Sequence, residues 1–321
     1  MDKQSVAGAF STGTHGTGKF QILASQASGV RFVNGEGEIV EVSAEDGDVF
    51  KAAQVSLGSL GIVTKYTLKL EPAYNLRLVE EKEDIDYVLD NLNELRDENR
   101  NFEFFWFPYT DKAILKKMNE TDEEGESSGM FADVGDSLEN FACDKLCRLS
   151  SIVPPTSKYV SKIGGGSISE QDEVGPYHKI FAHARNVRFN ETEYGVPAEK
   201  GGDAFGAVRD YIHSEGIDVC FPIEFRFVEG DDILLSPAHG RDTAFIAVHK
   251  YFRKDYEDYL GRCEEIFREH DGRPHWGKMH NLGAKELSSL YSEWEKFHGI
   301  RRRHDPEGVF MNDYLKEIFP E

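Results

Sequence analysis

The chain has 321 residues, 39% of them hydrophobic, with 22 Phe and 13 Tyr. That is enough length and apolar material for two domains with packed cores, and it excludes a disordered chain; no apolar run approaches the ~20 residues a membrane-spanning helix needs. The net charge of −21 argues against nucleic acid or an anionic membrane as partner, because both are bound through positive surface; it reads as a solvated, halophile-like acidic surface.

Small residues occupy nearly every position from Ser5 to Gly18. Within this stretch Gly13-Thr14-His15-Gly16-Thr17-Gly18-Lys19 has the spacing of a phosphate-binding P-loop, but Phe20 stands where Ser or Thr must hold Mg²⁺. No apolar strand leads into it, and G-x-G-x-x-G is absent, which sets aside P-loop and Rossmann sites. Small side chains let backbone N–H groups approach an anionic or electron-rich group closely; taken alone, the same residues fit a plain tight turn equally well.

Residues 30–42 alternate around Asn34-Gly35-Glu36-Gly37 and predict a β-hairpin. Residues 48–57 predict a short helix with Gly58 at its C′ position, and residues 62–70 a strand, with Pro72 closing a small first unit. A helix over 85–95 and an aromatic strand over 102–107 open a larger unit. Residues 119–137 and 164–175 read as exposed polar loops, the first acidic, the second following Pro154-Pro155. Strands are expected over 178–189, 219–228 and 243–251, with helices near 203–213 and 256–270. The tail, 285–319, reads as helical with a break at Asp305-Pro306-Glu307-Gly308. The expected class is α+β, an antiparallel sheet with helices on one side. Cys143, Cys147, Cys220 and Cys263 make no disulfide framework and read as buried free thiols. The N-terminus lacks the pattern of a signal peptide, and a cytoplasmic location is expected.

Two places concentrate polar chemistry. Phe221, Ile223, Phe225 and Phe227 alternate with Glu224 and Arg226, so period two puts the four apolar residues on one face and the charges on the other. On the strand alone, Glu224 and Arg226 read as a solvated pair worth under ~1 kcal/mol. The loop Arg273-Pro274-His275-Trp276-Gly277-Lys278-Met279-His280 is of the kind that shapes a pocket, and its Lys278 is placed to meet a polar substrate. His275 and His280 miss the i, i+4 spacing of a helical zinc pair and no H-E-x-x-H occurs, so no metal is expected.

Ser5-Val6-Ala7-Gly8-Ala9 through Thr12-Gly13-Thr14-His15-Gly16-Thr17-Gly18 resembles the flavin loop of the FAD-linked sugar-lactone and alditol oxidases, which have the vanillyl-alcohol-oxidase fold. Gly58-Ser59-Leu60-Gly61-Ile62-Val63-Thr64 resembles their second cofactor turn, and Phe221-Pro222-Ile223-Glu224-Phe225-Arg226 their Glu-x-Arg substrate strand. The block from Leu235 to His249, the lysine loop from Gly272 to His280, and Asp305-Pro306-Glu307-Gly308-Val309-Phe310-Met311-Asn312 follow in family order.

The resemblance implies the second half of a PCMH-type FAD-binding domain over 1–72, an antiparallel-sheet cap over 73–285, and a helical segment over 286–321 returning to the FAD domain. It also implies a further FAD half-domain, either upstream or supplied by a separate chain. FAD would be held by Ser5, Val6, Ala7, Gly8 and Thr12, by Thr14, His15 and Gly16, and by Gly58, Gly61, Ile62 and Asn312. Glu224, Arg226 and Lys278 would be catalytic, with Thr17, His249 and His275 binding a polyol or sugar lactone. Hydride would pass from a CH–OH group to the flavin, with O₂ as acceptor. Two alternatives stay open: a non-catalytic remnant, and one subunit of a split oxidase. A zinc hydrolase is a more distant one.

Overall fold

In the computed structural model, which describes residues 4–125, 159–162, 170–181 and 187–320, the N-terminal unit is built on a three-stranded sheet. Strand β1 (Ala27–Val33) pairs antiparallel with β2 (Ile39–Ser43) and with β3 (Ile62–Leu68). The expected hairpin joins β1 to β2. Asn34 Oδ1 accepts from the N–H groups of Glu36 and Glu38, at 3.0 and 2.8 Å, and Gly37 takes up a φ of 81° that a side chain would resist. The short helix α1 (Val6–Ser11) precedes this sheet, and α2 (Asp48–Gln54) follows the hairpin. Helix α2 stops at Gln54, so Gly58 is not its C′ residue. The β-branched Val55 is extended, and Leu57 and Gly58, with φ of 52° and 71°, form a separate turn.

The second unit is an eight-stranded sheet in which every pairing is antiparallel, ordered β11-β8-β10-β9-β5-β6-β4-β7. Its strands are β4 (Asn75–Asp84), β5 (Asn101–Trp106), β6 (Lys112–Thr121), β7 (Gln171–Pro176), β8 (Phe189–Pro197), β9 (Ile223–Val228), β10 (Thr243–Tyr251) and β11 (Arg273–Pro274). Phe102, Phe104, Trp106, Phe225 and Phe227 form the apolar face. Phe104 stacks on Phe225 with centroids 4.9 Å apart and meets Phe205 edge-on at 5.2 Å. Phe205 comes from α6 (Gly201–Ser214), which with α7 (Glu257–Glu269) covers this face. The N-terminus of α6 needs glycine: a Cβ on Gly201 would lie 2.7 Å from Ala244 Cβ and 2.8 Å from Phe225 Cζ.

Several expectations are corrected. The helix over 85–95 is two helices, α3 (Ile85–Asp90) and α4 (Leu92–Glu98); they part at Asn91, whose side chain donates to the Tyr87 carbonyl at 2.8 Å. Of the described part of 178–189, only the last residue, Phe189, lies in a strand. Instead β7 takes up the end of the supposed second loop, and Tyr177–Ile180 forms a helical turn, α5. The strand begins only at Phe189. Its buried polar residues, Thr192 and Glu193, break any apolar alternation, so the sequence pattern does not mark it as a strand. Strands β4 and β6 are also unforeseen; they carry cross-strand charges, with Glu80 opposite Lys116 and paired to it. The acidic stretch after 119 begins inside β6. Cys143, Cys147, most of the first polar loop and half of the second lie outside the described residues; Cys220 and Cys263 are buried free thiols, as expected.

The C-terminal helices α8 (Ala284–Leu290), α9 (Trp294–His304) and α10 (Asp313–Ile318) break where the Asp-Pro-Glu-Gly run predicts. They pack on the first unit. The His304 carbonyl accepts from Gly35 N at 2.7 Å, and its ring meets Phe32 edge-on. One continuous core includes Phe10, Phe32 and Phe50 together with Phe104, Phe225, Phe297 and Phe319.

Candidate active site

Paired residues on neighbouring strands share a face of a sheet. The register places Glu103 opposite Arg226, Arg226 opposite Phe245, Glu224 opposite Ala247, Ala247 opposite Glu193, and His249 opposite Glu191. The face turned away from α6 and α7 therefore gathers Glu103, Glu191, Glu193, Glu224, Arg226 and His249. Every residue of β10 is buried, since the helices cover one side of it and this site lies on the other.

Glu224 and Arg226 are not the solvated pair that the strand taken alone implies. Glu224 is buried and accepts from Arg226 Nη2, while Arg226 Nε donates to Glu103 Oε2 at 3.0 Å. Burial alone would lower the guanidinium pKa, but Glu224 and then Glu103 hold it above its usual value. Ile223, Phe225 and Phe227 take the apolar face as predicted, but Phe221 does not. It precedes β9 and packs with Phe189 and Tyr251, its ring 6.3 Å from His249.

The lysine loop lies along β8. His275 N donates to the Glu193 carbonyl at 2.9 Å, Met279 N to the Glu191 carbonyl at 3.0 Å, and Thr192 Oγ1 to the Met279 carbonyl at 2.7 Å. From behind, Trp276 Nε1 donates to the Leu235 carbonyl at 2.6 Å, and Arg273 Nη1 to the His239 carbonyl at 2.7 Å, so the block from Leu235 props the loop. This brings Lys278 Nζ to 2.5 Å from Glu191 Oε2, while His249 Nε2 lies 3.2 Å from Glu191 Oε1. Burial would raise the Glu191 carboxyl, yet His249 and Lys278 hold it at about 2. His280, at the loop's end, contacts Tyr314 OH at 2.8 Å and so joins the loop to α10.

The glycine-rich loop closes over the same face. His15 stacks on Phe245 with centroids 3.8 Å apart, its Nδ1 is 2.8 Å from the Gly16 carbonyl, and its Nε2 is 3.4 Å from Glu193 Oε1. Burial would raise the Glu193 carboxyl, but His15, His275 and Lys278 together keep it well below the usual range. His275 is itself pushed down to about 4 by burial, against the pull of Glu193. His15, Glu193 and His275 each offer a ligand atom within 4.8 Å of the others, a grouping the sequence spacing did not reveal. The Gly277 N–H points at His275 Nδ1, 3.0 Å away, so a neutral ring carries its proton on Nε2 and has no lone pair there for an ion.

The remaining expected residues fall into distinct places. Thr17 fastens the loop: its hydroxyl donates to the Phe102 carbonyl and accepts from Phe227 N at 3.3 Å. Ser5 caps α1 through Gly8 N at 3.1 Å, and Val6 and Ala7 are exposed on its first turn. Thr12 Oγ1 donates to the Gly8 carbonyl at 2.8 Å, and Thr14 accepts from Gln4 Nε2 at 3.2 Å. The Gly58 turn adjoins α1, since Leu57 N donates to the Ser11 carbonyl at 3.1 Å. Gly61, at φ 154°, sits against the Val33 carbonyl where a Cβ would clash, and Ile62 opens β3 with its side chain exposed. Asn312 caps α10, accepting from Leu315 N at 2.8 Å.

Among the described residues, the N–H groups of His15, Gly16 and Thr17 have no acceptor, and a Cβ on Gly16 or Gly58 would meet nothing within 4 Å. A row of unclaimed donors beside open space suits a ligand rich in acceptor atoms. Sequence reasoning missed Glu103, Glu191 and Glu193. Glu103 was visible as a lone acid in an aromatic strand; Glu191 and Glu193 repeat with period two, a signal obscured by placing that strand too early.

The chain matches the family model of D-arabinono-1,4-lactone oxidase over residues 66–318. It is 38% identical over 320 residues to an L-gulono-1,4-lactone dehydrogenase of Mycobacterium tuberculosis, covering 99% of this chain and 74% of that protein. It is 32% identical to the L-gulonolactone oxidase of Mus musculus and 30% identical to an alditol oxidase of Streptomyces, covering 98% of this chain and 73% of the relative in both cases. Among solved structures, cholesterol oxidase from Brevibacterium sterolicum superposes with a TM-score of 0.76 at 14% identity, over 98% of this chain and 75% of that one. The fold is thus the α+β, vanillyl-alcohol-oxidase type expected from sequence.

Proposed function

Because the chain belongs to the D-arabinono-1,4-lactone oxidase family, we propose that it acts as an FAD-linked oxidoreductase on a CH–OH group of a sugar lactone or polyol, with O₂ as acceptor. The observation that carries this reading is the meeting of Arg226 and Lys278 on one carboxylate-lined face beneath a loop with unclaimed N–H donors. Those donors, on His15, Gly16 and Thr17, together with the open turn at Gly58, would hold the cofactor; the exposed turn of Ser5, Val6, Ala7 and Gly8 and the nearby Thr12 and Thr14 would border it. When bound, FAD supplies a hydride acceptor.

The chain's own residues prepare the substrate. Arg226 and Lys278 stabilise the alkoxide character that develops as the hydroxyl loses its proton, which is the work of preorganised charge in a water-poor site. Glu224 orients Arg226 and accepts substrate hydroxyls, and Glu103 fixes the guanidinium from its other side. His249 and His275 flank the same face. Thr17 enters as the anchor that sets the loop on β5 and β9, and Asn312 as the cap of the helix that steadies the lysine loop through Tyr314.

Flavin content and turnover of the purified chain test the reading. A flavin spectrum bleached by a polyol or lactone supports it. A colourless chain that gains flavin and turnover only with a separately supplied polypeptide would make it one subunit of a split oxidase. A chain that stays colourless and inactive in every combination would leave a remnant and sink the proposal.

A further inference from the structure

Two groups from distant stretches of sequence converge on one carboxylate. Glu191 lies on β8, His249 on β10, and Lys278 in the loop that rides along β8. Glu191 Oε2 takes Lys278 Nζ at 2.5 Å, while Oε1 lies 3.2 Å from His249 Nε2, an ion pair when that ring carries both protons. The strand that carries this carboxylate is tied to the lysine loop: the Glu191 carbonyl accepts from Met279 N at 3.0 Å, and the neighbouring Thr192 Oγ1 donates to the Met279 carbonyl at 2.7 Å. The His249 ring is held from its far side as well, with Nδ1 3.0 Å from the Pro222 carbonyl. Lysine carries its charge on a flexible four-carbon stem, so a fixed ammonium needs a fixed partner.

We propose that Glu191 is a positioning residue of this site, holding the Lys278 ammonium and the His249 imidazole at set places on the substrate face. The proposal rests on the flavin-linked reading above for what Lys278 does, but not for the clamp itself. Glu191 touches neither substrate nor cofactor in this role. It acts through Lys278, whose charge counts only if it stands where negative charge develops.

Two experiments test it on the full chain. The first is carboxyl-carbon NMR of Glu191 across an acid titration. In the parent protein the carboxyl should titrate well below the usual carboxylate range, and Lys278→Met and His249→Gln should each raise that midpoint, since each removes one of the groups holding it down. A midpoint unmoved by both substitutions overturns the clamp. This measurement needs no turnover, so it stands even if the chain proves inactive, an outcome that would strike only the functional reading.

The second is kinetic, on flavin-loaded protein. Glu191→Gln should lower kcat by about ten- to a hundredfold with KM changed less than about threefold, and the double variant Glu191→Gln/Lys278→Met should be no slower than Lys278→Met alone. Losses that multiply in the double variant, or full kcat in Glu191→Gln, overturn the proposal. Should Glu191→Gln fail to fold, the titrations of the other two variants still decide it.

Discussion

Glu103 on β5 and Arg226 on β9 face one another across the strand pair, joined by a 3.0 Å hydrogen bond from Arg226 Nε to Glu103 Oε2. The guanidinium is thereby gripped by an acid on each side, Glu224 being the other. Arg226→Ala should lower kcat by about 10²–10³ in the flavin-loaded enzyme, and Glu103→Gln by roughly tenfold, since one grip remains. Steady-state kinetics with a polyol or lactone checks both. Full turnover in Arg226→Ala would remove Arg226 from the chemistry.

Acid stability should carry the mark of His275. Its imidazole is neutral in the fold down to about 4, whereas the unfolded chain takes up the proton near 6.5. Between those values the unfolded state binds more protons, so stability declines as pH drops from 6.5 towards 4, by about 3 kcal/mol at most. The groups facing the ring are Glu193 and Glu191, which favour its charged form, and His15 and Lys278, which oppose it. Urea denaturation of the parent and of His275→Gln at pH 7 and pH 5 should show a smaller pH difference in the variant; equal slopes would refute this account.

Two glycines of the proposed cofactor turns should respond in opposite ways. Gly16→Ala adds a methyl where nothing lies within 4 Å, so the apo protein should keep its melting temperature while flavin retention falls. Gly61→Ala presses a Cβ on the Val33 carbonyl at a φ of 154°, which should lower the melting temperature by several degrees. Thermal melts with and without added FAD distinguish the two. Unchanged flavin retention in Gly16→Ala would remove that loop from the cofactor site.

Gly201→Val should be a purely structural lesion. The new side chain would meet Ala244 and Phe225 under the N-terminus of α6, costing about 1–3 kcal/mol with little effect on KM in the folded fraction. A melting curve beside the kinetics checks it.

Much of this site could be read in the sequence because period two is a local property. The alternation through Ile223, Glu224, Phe225 and Arg226 gives the face each residue takes, and the structure agrees. What could not be read is what stands across from them. Cross-strand partners such as Glu103 and Glu193 come from segments far away in the chain, and burial of acids on β8 removed the apolar alternation that would have marked it as a strand. Phe221 shows the limit from the other side: the alternation runs on past the strand's beginning, but the backbone there does not. Thr17 is similar, since nothing local reveals that its hydroxyl is committed to Phe102 and Phe227.

The site face carries four carboxylates, on Glu103, Glu191, Glu193 and Glu224, against two permanent cations, Arg226 and Lys278. The carboxylates outnumber these cations two to one, so a substrate that arrives already ionised meets net like charge at short range, whereas the charge that develops on one hydroxyl of a neutral substrate is met locally by Arg226 and Lys278. A lactone in water slowly opens to a carboxylate. The closed ring is uncharged and the opened acid is not, so the same molecule would lose its welcome on hydrolysis. Its ring, rather than its pattern of hydroxyls alone, would serve as the password.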